Sequence, residues 1–230
     1  GDRDLADFGT MLHEAWTLKR RLTSRITTPA IDAIYAAARE AGALGGKLLG
    51  AGKAGYLLLL VPEERLAQVT YEAQRLMDDL VDLELEAVDR ILSKVEGDPE
   101  PETIKHVERE TWELLRETGR KGRRTGLGFT GLGDALAALN LKYDSDAALI
   151  ATEEIMRTKC RAEFDSSIDM AIERGAFTGF DPAIERTSAF TAMLEQELPE
   201  VHARMMKHGR RNISLSTVAP TGTLSLLTRT

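Results

Sequence analysis

Residues 210–227 read RRNISLSTVAPTGTLSLL, and this pattern predicts a strand, a tight turn and the start of a helix. The turn would place unpaired backbone N–H groups of a helix N-terminus beside the hydroxyls of Thr221, Thr223 and Ser225. Such donors suit an anion, and Gly222 lets a ligand approach the backbone closely. The same local chemistry also fits an ordinary helix capped by threonine or serine, so the turn alone leaves both interpretations open.

Outward from this stretch, apolar periodicity predicts a mainly helical chain. One helix is expected over the first twenty-odd residues, and a second is capped by Thr28 and closed by Gly42. A third starts at Pro62 and ends at the breaker EGDPEPE. The other expected elements are a helix with Ile104, Val107, Thr111 and Leu114 on one face, a basic loop at 116–124, the helix DALAALN, a helix from about Asp146 to Arg174, and two short helices between Ile184 and His208.

Composition narrows the class of protein. The 230-residue chain has a net charge of −7, which argues against a general nucleic-acid-binding protein. No apolar run reaches the ~20 residues that span a bilayer, and the N-terminus GDRDLADFG lacks the apolar core of a secretory signal. Cys160 is the single cysteine, which excludes an internal disulfide framework. A cytoplasmic protein without membrane or nucleic-acid partners is therefore expected.

A glycine-rich segment lies in the N-terminal third. Six glycines fall among the fourteen residues Gly42–Gly55, and strands are expected around Lys47–Leu49 and Tyr56–Val61. Glycine permits positive φ and close approach of a ligand or another strand, because it has no Cβ. The pattern fits a hairpin packed against a phosphate and also a plain hairpin whose glycines serve turn geometry. It is not a Walker A loop.

Residues 5–66, which include GALGGKLLGAGKAGYLLLLVPEE, resemble the C-terminal domain of GHMP-type small-molecule kinases, especially the sugar-phosphate (heptose) kinases. The resemblance implies that a motif beside the nucleotide and sugar-phosphate site falls here, with ATP or a sugar phosphate as ligand. Phosphoryl transfer is not expected, because the family's phosphate-cradling loop and catalytic acid are absent from this chain. The implied binding residues are Gly45, Gly46, Lys47, Gly50 and Gly52.

A second glycine cluster, TGLGFTGLGDALAAL, has G-x-G-x-x-G spacing at Gly126, Gly128 and Gly131. A dinucleotide site needs a hydrophobic strand before such a cluster and an acidic residue about 20 positions after it. Here a polar helix end precedes it, and no second parallel strand carries Asp144 or Asp146. A nicotinamide or flavin site is therefore the minor interpretation.

Residues 70–230 resemble the catalytic chain of ribonucleotide reductase, most of all its adenosylcobalamin-dependent class. RRTGLGFTGLGD and RRNISLSTVAPTGTLSLL are the specific motifs. The resemblance implies a ten-stranded α/β barrel, radical reduction of a ribonucleotide's 2′-hydroxyl, adenosylcobalamin as cofactor and a thioredoxin-type reductant. GLGFTGLG would then be a barrel strand and turn. The residues implied to contact the substrate phosphates are Pro220, Thr221, Gly222, Thr223 and Ser225.

No catalytic or metal-binding residue is predicted. The reductase chemistry needs a radical-bearing cysteine in an N-x-C-x-E motif and a redox-active cysteine pair, and the sequence has neither. Cys160, in MRTKCRAEF, is expected to pack within a helix. The four histidines are scattered, and the acids of LMDDLVDLELEAVDR are expected to form a solvated helix face.

The expected fold class is α+β and mainly helical, with a small antiparallel hairpin and a helical part of an α/β barrel. Two segments are predicted, residues 1–68 with the kinase resemblance and residues 69–230 with the reductase resemblance, so that the chain is interpreted as a fusion, an engineered chimera or a composite reading frame. Three functions stay open at this point: a reductase segment that binds substrate phosphates, a kinase segment that binds ATP or a sugar phosphate, and a non-enzymatic helical scaffold. Incomplete sheets also predict a homo-oligomer.

Overall fold

The computed structural model describes residues 5–22, 26–49, 56–62, 65–220 and 222. The fold is α+β and mainly helical, as predicted. In chain order its elements are α1 (Leu5–Leu22), α2 (Pro29–Glu40), β1 (Gly45–Leu49), β2 (Tyr56–Leu60), α3 (Leu66–Gly97), α4 (Glu102–Gly122), α5 (Leu132–Ala138), α6 (Asp146–Arg174), α7 (Pro182–Glu185), α8 (Ala189–Glu197) and α9 (Pro199–His208).

The chain divides into two units that do not follow the sequence order. The division predicted at residues 68 and 69 concerns family resemblance and stays a prediction. The first unit comprises Gly1–Ala73, Gly128–Ala162 and Val218–Thr230, and the second comprises Gln74–Leu127 and Glu163–Thr217.

The first unit is built on helices α1 and α2 and the hairpin β1–β2. The predicted ends of α2 are confirmed: the Thr28 hydroxyl accepts from the backbone N–H of Ile31, and Gly42 has a positive φ of 109°. Strands β1 and β2 pair antiparallel, with Gly45 opposite Leu60. The buried cluster beneath them consists of Trp16, Tyr35 and Leu48, with Ile26, Ile31 and Leu59 packed against it.

The second unit contains most of α3, which lies antiparallel to α4, and the helices α7 to α9. The basic loop expected at 116–124 is wrong, because α4 continues to Gly122 and ends at Arg123, whose φ of 43° is left-handed. Tertiary contacts hold these last turns: Arg116 and Arg120 both pair with Asp89 of α3. Local basic and glycine content alone indicated a loop.

Two other expectations need correction. The segment from Ile184 to His208 forms parts of three helices rather than two, because Ser188 caps an extra start through the N–H of Thr191. The strand expected at 212–220 is reduced to a single parallel bridge, between Ser216 and Leu127. Apart from the β1–β2 hairpin, that bridge is the sheet pairing found in the described ranges. None of the helices in those ranges is long and apolar enough to cross a bilayer.

Helix α3 buries only part of the apolar series that its sequence predicts, which runs from Leu66 to Val95. Val69 and Val95 of that series are buried, whereas Leu80 and Leu83 are exposed. Between them Gln74, Asp78, Val81 and Val88 are buried, which lie outside the expected series. The two polar residues among these four lie at the centre of the candidate site.

Candidate functional site

The predicted phosphate turn is described at two of its five residues. Pro220 is exposed, and Gly222 is helical and exposed, with open space where a Cβ would stand. The predictions for Thr221, Thr223 and Ser225 concern residues outside the described ranges. The backbone that leads into the turn, in contrast, is described in full.

That backbone is held by a short parallel pairing. Leu127 N–H donates to the Leu215 carbonyl at 2.7 Å, and Thr217 N–H donates back to the Leu127 carbonyl at 3.3 Å. Gly126 favours the close approach, because a Cβ there would lie 3.2 Å from the Thr217 side chain, which would have to shift. The first glycine of the second cluster therefore lies at this backbone pairing.

Asp78 is the buried acid around which this region of the second unit is organised. Its Oδ1 accepts from Arg123 Nε at 2.7 Å and from Asn212 Nδ2 at 2.8 Å, and its Oδ2 lies 3.3 Å from Arg211 Nε. Burial by itself would raise the pKa of Asp78, but the hydrogen bonds and charges of these partners outweigh it and lower that pKa. The carboxylate is therefore held ionised inside the unit.

Asn212 ties the RRNISLS segment to three other parts of the second unit. Its Oδ1 accepts from Ser167 Oγ at 2.9 Å and from Gln74 Nε2 at 3.0 Å. Its Nδ2 donates to Asp78 and to the carbonyl of Arg123. Both polar side-chain atoms of Asn212 thus form hydrogen bonds, as a buried amide requires.

Gln74 completes this polar cluster but leaves one atom unpaired. Its Nε2 donates to Thr125 Oγ1 and Asn212 Oδ1, both at 3.0 Å, whereas its buried Oε1 has no partner among the described residues. We name the set Gln74, Asp78, Arg123, Thr125, Ser167 and Asn212 the polar node.

Three neighbouring acids, Asp78, Asp79 and Asp82, have oxygens within 4.8 Å of one another, a spacing that a metal ion could use. Arginines explain the group instead. Arg123 bridges Asp78 and Asp82 through separate nitrogens, both at 2.7 Å, and Arg174 contacts Asp79 at 2.9 Å. The expectation of a solvated acidic face is therefore wrong for Asp78, which is fully buried, and holds for Asp79 and Asp82.

The two kinase-like glycines that the structure describes, Gly45 and Gly46, lie against other parts of the first unit. A Cβ on Gly45 would stand 1.9 Å from the carbonyl oxygen of Gly9 in α1, and Gly46 N–H bonds to Tyr35. Lys47 is half-buried on β1. The predictions for Gly50 and Gly52 fall outside the described residues.

Tyr35 links these glycines to helix α1. Its hydroxyl lies 2.8 Å from His13 Nδ1, and the two rings stack. Burial raises the pKa of the Tyr35 hydroxyl, partly offset by Arg39 and by the bond from Gly46. The buried Nε1 of Trp16 beside it has no partner in the ranges described.

The family of this chain follows from its similarity to known proteins. The family described as "Ribonucleotide reductase, barrel domain" matches residues 62–230, which contain the polar node and the predicted phosphate turn. The chain belongs to the ribonucleotide reductase family. It is 32% identical over 168 residues to a vitamin B12-dependent ribonucleoside-diphosphate reductase of Mycobacterium tuberculosis; the match covers 73% of this chain and 18% of that relative.

Other relatives agree with the reductase family. The chain is 29% identical over 111 residues to the ribonucleoside-diphosphate reductase subunit alpha of Treponema pallidum, covering 47% of this chain and 13% of that protein. It is 28% identical over 118 residues to the ribonucleoside-diphosphate reductase large subunit of Plasmodium falciparum, and the match covers 48% of this chain and 15% of that protein. The chain thus spans less than a fifth of each of these reductases.

A second family also matches this chain. The family described as "GHMP kinases C terminal" matches residues 2–79, so the two matches overlap from residue 62 to residue 79. Both predicted resemblances are confirmed. The polar node itself was missed from sequence, because its partners lie 45 to 138 residues apart along the chain.

Proposed function

We propose that this chain contributes the substrate-phosphate turn of a ribonucleotide reductase, formed by Pro220, Thr221, Gly222, Thr223 and Ser225. The family match over residues 62–230 carries the proposal, since it includes that motif. Two further observations support it: Pro220 and Gly222 are exposed, and the segment before them is fixed by the pairing with Thr125–Leu127. Backbone N–H groups at a helix start favour an anion.

Hydrogen exchange of the full chain with a ribonucleoside diphosphate such as CDP tests this proposal. Slower exchange of the amides of residues 219–226 is the expected result. Gly222→Val should weaken the effect, because the added side chain blocks approach to the backbone. Gly97→Ala, at the end of α3 with open space around it, is the matched control. Unchanged exchange at saturating CDP would remove the proposal.

Ribonucleotide reduction by this chain alone is not proposed. Adenosylcobalamin is suggested by the name of the Mycobacterium relative, and it would supply radical chemistry. The residues present do not fit that reaction, because Cys160 is the only cysteine of the sequence and lies inside α6. A turnover assay with adenosylcobalamin and a thioredoxin-type reductant should therefore yield no deoxyribonucleotide above background.

The alternative, binding of ATP or a sugar phosphate by the hairpin, is favoured by the kinase match over residues 2–79. Protection by ATP of residues 45–52, with none at 219–226, would select it. The packing of Gly45 against α1 argues for a structural use of that glycine. A third possibility is a helical scaffold without ligand, which calorimetry showing no heat with CDP, ATP or a sugar phosphate would select.

A further inference from the structure

Helix α4 presents four of its five large apolar residues to solvent, whereas Trp112 is half-buried. Ile104, Val107, Leu114 and Leu115 are 48%, 62%, 64% and 52% exposed, and no residue of α4 is buried. At 100° per residue these four, with Thr111 between them, form one continuous stripe along the helix. We name them the α4 stripe. A contiguous exposed apolar patch of this kind marks an interaction surface.

The opposite, charged face of α4 is the one that packs against α3. Arg109 Nε lies 2.6 Å from Glu96 Oε1, Arg116 contacts Asp89 at 3.0 Å, and Lys105 Nζ donates to the Glu96 carbonyl at 2.8 Å. A helix that needed only its own unit would place the apolar face inward and the charged face outward. Helix α4 does the reverse, so its stripe is available to a partner.

Acidic side chains border the α4 stripe on both sides. Helical geometry puts Glu108 along one edge and Glu110, Glu117 and Lys121 along the other. Glu110 and Glu117 are 67% and 60% exposed; His106 lies 3.4 Å from Glu110 and Lys121 lies 2.6 Å from Glu117. The basic residues Lys105, Arg109 and Arg116, in contrast, contact α3 or the start of α4. The border therefore carries three carboxylates against one lysine, and its net charge is negative.

We propose that the α4 stripe docks an amphipathic helix whose apolar face is bordered by lysine or arginine. Charges that flank an apolar seam decide which helix can pair with it. A second copy of α4 is disfavoured, because two-fold antiparallel pairing would bring two acidic borders together. The stripe spans about 17 Å from Ile104 to Leu115, so about three turns of a partner helix would cover it.

Fluorescence anisotropy with two synthetic helices tests the proposal on the full chain. Both peptides carry the same leucine stripe, which one borders with lysines and the other with glutamates. The lysine peptide should bind at least about tenfold more tightly at low salt, and the difference should shrink at 1 M salt because charge pairs at a helix surface are screened. Binding of neither peptide, or equal binding of both, would overturn the proposal.

Matched variants locate the surface. Leu114→Glu should weaken binding of the lysine peptide about tenfold, since a charge is introduced into the middle of the apolar seam. Leu149→Glu is the control, because this leucine is also 64% exposed but lies on α6. The pair Glu110→Lys and Glu117→Lys should reverse the preference toward the glutamate peptide. Equal loss in the Leu149 control would contradict the location.

Sedimentation of the full chain without peptide tests whether a second copy of the chain occupies the α4 stripe. We expect no self-association through the stripe, so Leu114→Glu should leave the sedimentation unchanged. If self-association is present and that variant removes it, a second copy occupies the stripe and the basic-helix assignment falls. Neither measurement depends on nucleotide binding, so the outcome is independent of the proposed phosphate turn.

Discussion

Both units have apolar interiors, but they differ in the special contact that each of them buries. In the second unit a fully buried carboxylate, Asp78, is surrounded by Arg123, Arg211 and Asn212. In the first unit the core is aromatic and aliphatic, and Gly9 and Gly45 let α1 lie directly on the hairpin. In the second unit, directional polar bonds hold the buried carboxylate in place. In the first unit, the lack of side chains at Gly9 and Gly45 permits the close contact.

This difference predicts which kind of substitution destabilises each unit most. A buried ion pair stabilises little beyond what a well-packed apolar core would, yet removing one partner leaves an uncompensated charge. A glycine contact tolerates no added volume, because close-packed interiors relax only slightly. The second unit should therefore be most sensitive to loss of a charge, and the first to gain of a methyl group.

Asp78→Ala should have the largest effect. We expect loss of about 3–5 kcal/mol from the opening free energy of the second unit, because the buried Arg123 would lose its buried carboxylate partner and keep only the half-exposed Asp82. Hydrogen exchange of its slowest amides under urea measures the loss unit by unit. Asp79→Ala is the control: this half-exposed acid pairs with Arg174 at the surface and should cost less than about 1 kcal/mol. Equal effects of the two substitutions would show that the node is not a centre of stability.

Gly45→Ala should come next and should act on the first unit. Its new Cβ would stand 1.9 Å from the Gly9 carbonyl oxygen, so α1 and β1 must separate. We expect a loss of about 1–3 kcal/mol, read from amide exchange in α1 and β1. Gly97→Ala, with open space around it, should be neutral within about 1 kcal/mol. Unchanged exchange in Gly45→Ala would indicate that the close contact can relax freely.

The pH dependence should show the smallest effect and should separate the units by sign. The lowered pKa of Asp78 means that its contribution is present above the ordinary aspartate pKa of about 4 and is lost as pH falls through the folded value. The raised pKa of Tyr35 means that its contribution is present below about pH 10 and is lost as pH rises through the folded value.

Amide exchange with pH therefore distinguishes the two groups. The second unit should loosen on the acid side, and the first on the alkaline side. Tyr35→Phe should flatten the alkaline dependence of the first unit, although its basal stability falls by about 1 kcal/mol with the lost hydrogen bonds. An unchanged alkaline slope in that variant would assign the dependence to another group.

Local signals predicted the helices well and the buried polar residues poorly. The bounds of α6 agree with the sequence prediction, because Gly175 ends the helix with a positive φ of 89°. The loop predicted at 116–124 failed, since pairing of Arg116 and Arg120 with Asp89 carries α4 through it. The node was hidden for the same reason: Asp78 looks like any acid on a helix until Asn212, 134 residues away, is placed beside it.

The mainly helical fold, the glycine hairpin, both family resemblances and the candidate phosphate turn can be predicted from the amino-acid sequence. Helix caps, glycine spacing and short motifs act over a few neighbouring residues, so local patterns reveal them. The tertiary structure was needed to show which residues of α3 are buried, that α4 turns its apolar stripe outward, and that an aspartate lies at the centre of the polar node. Those outcomes depend on burial and on partners distant in sequence, and the energy of a charge or an apolar side chain is set by what surrounds it in space.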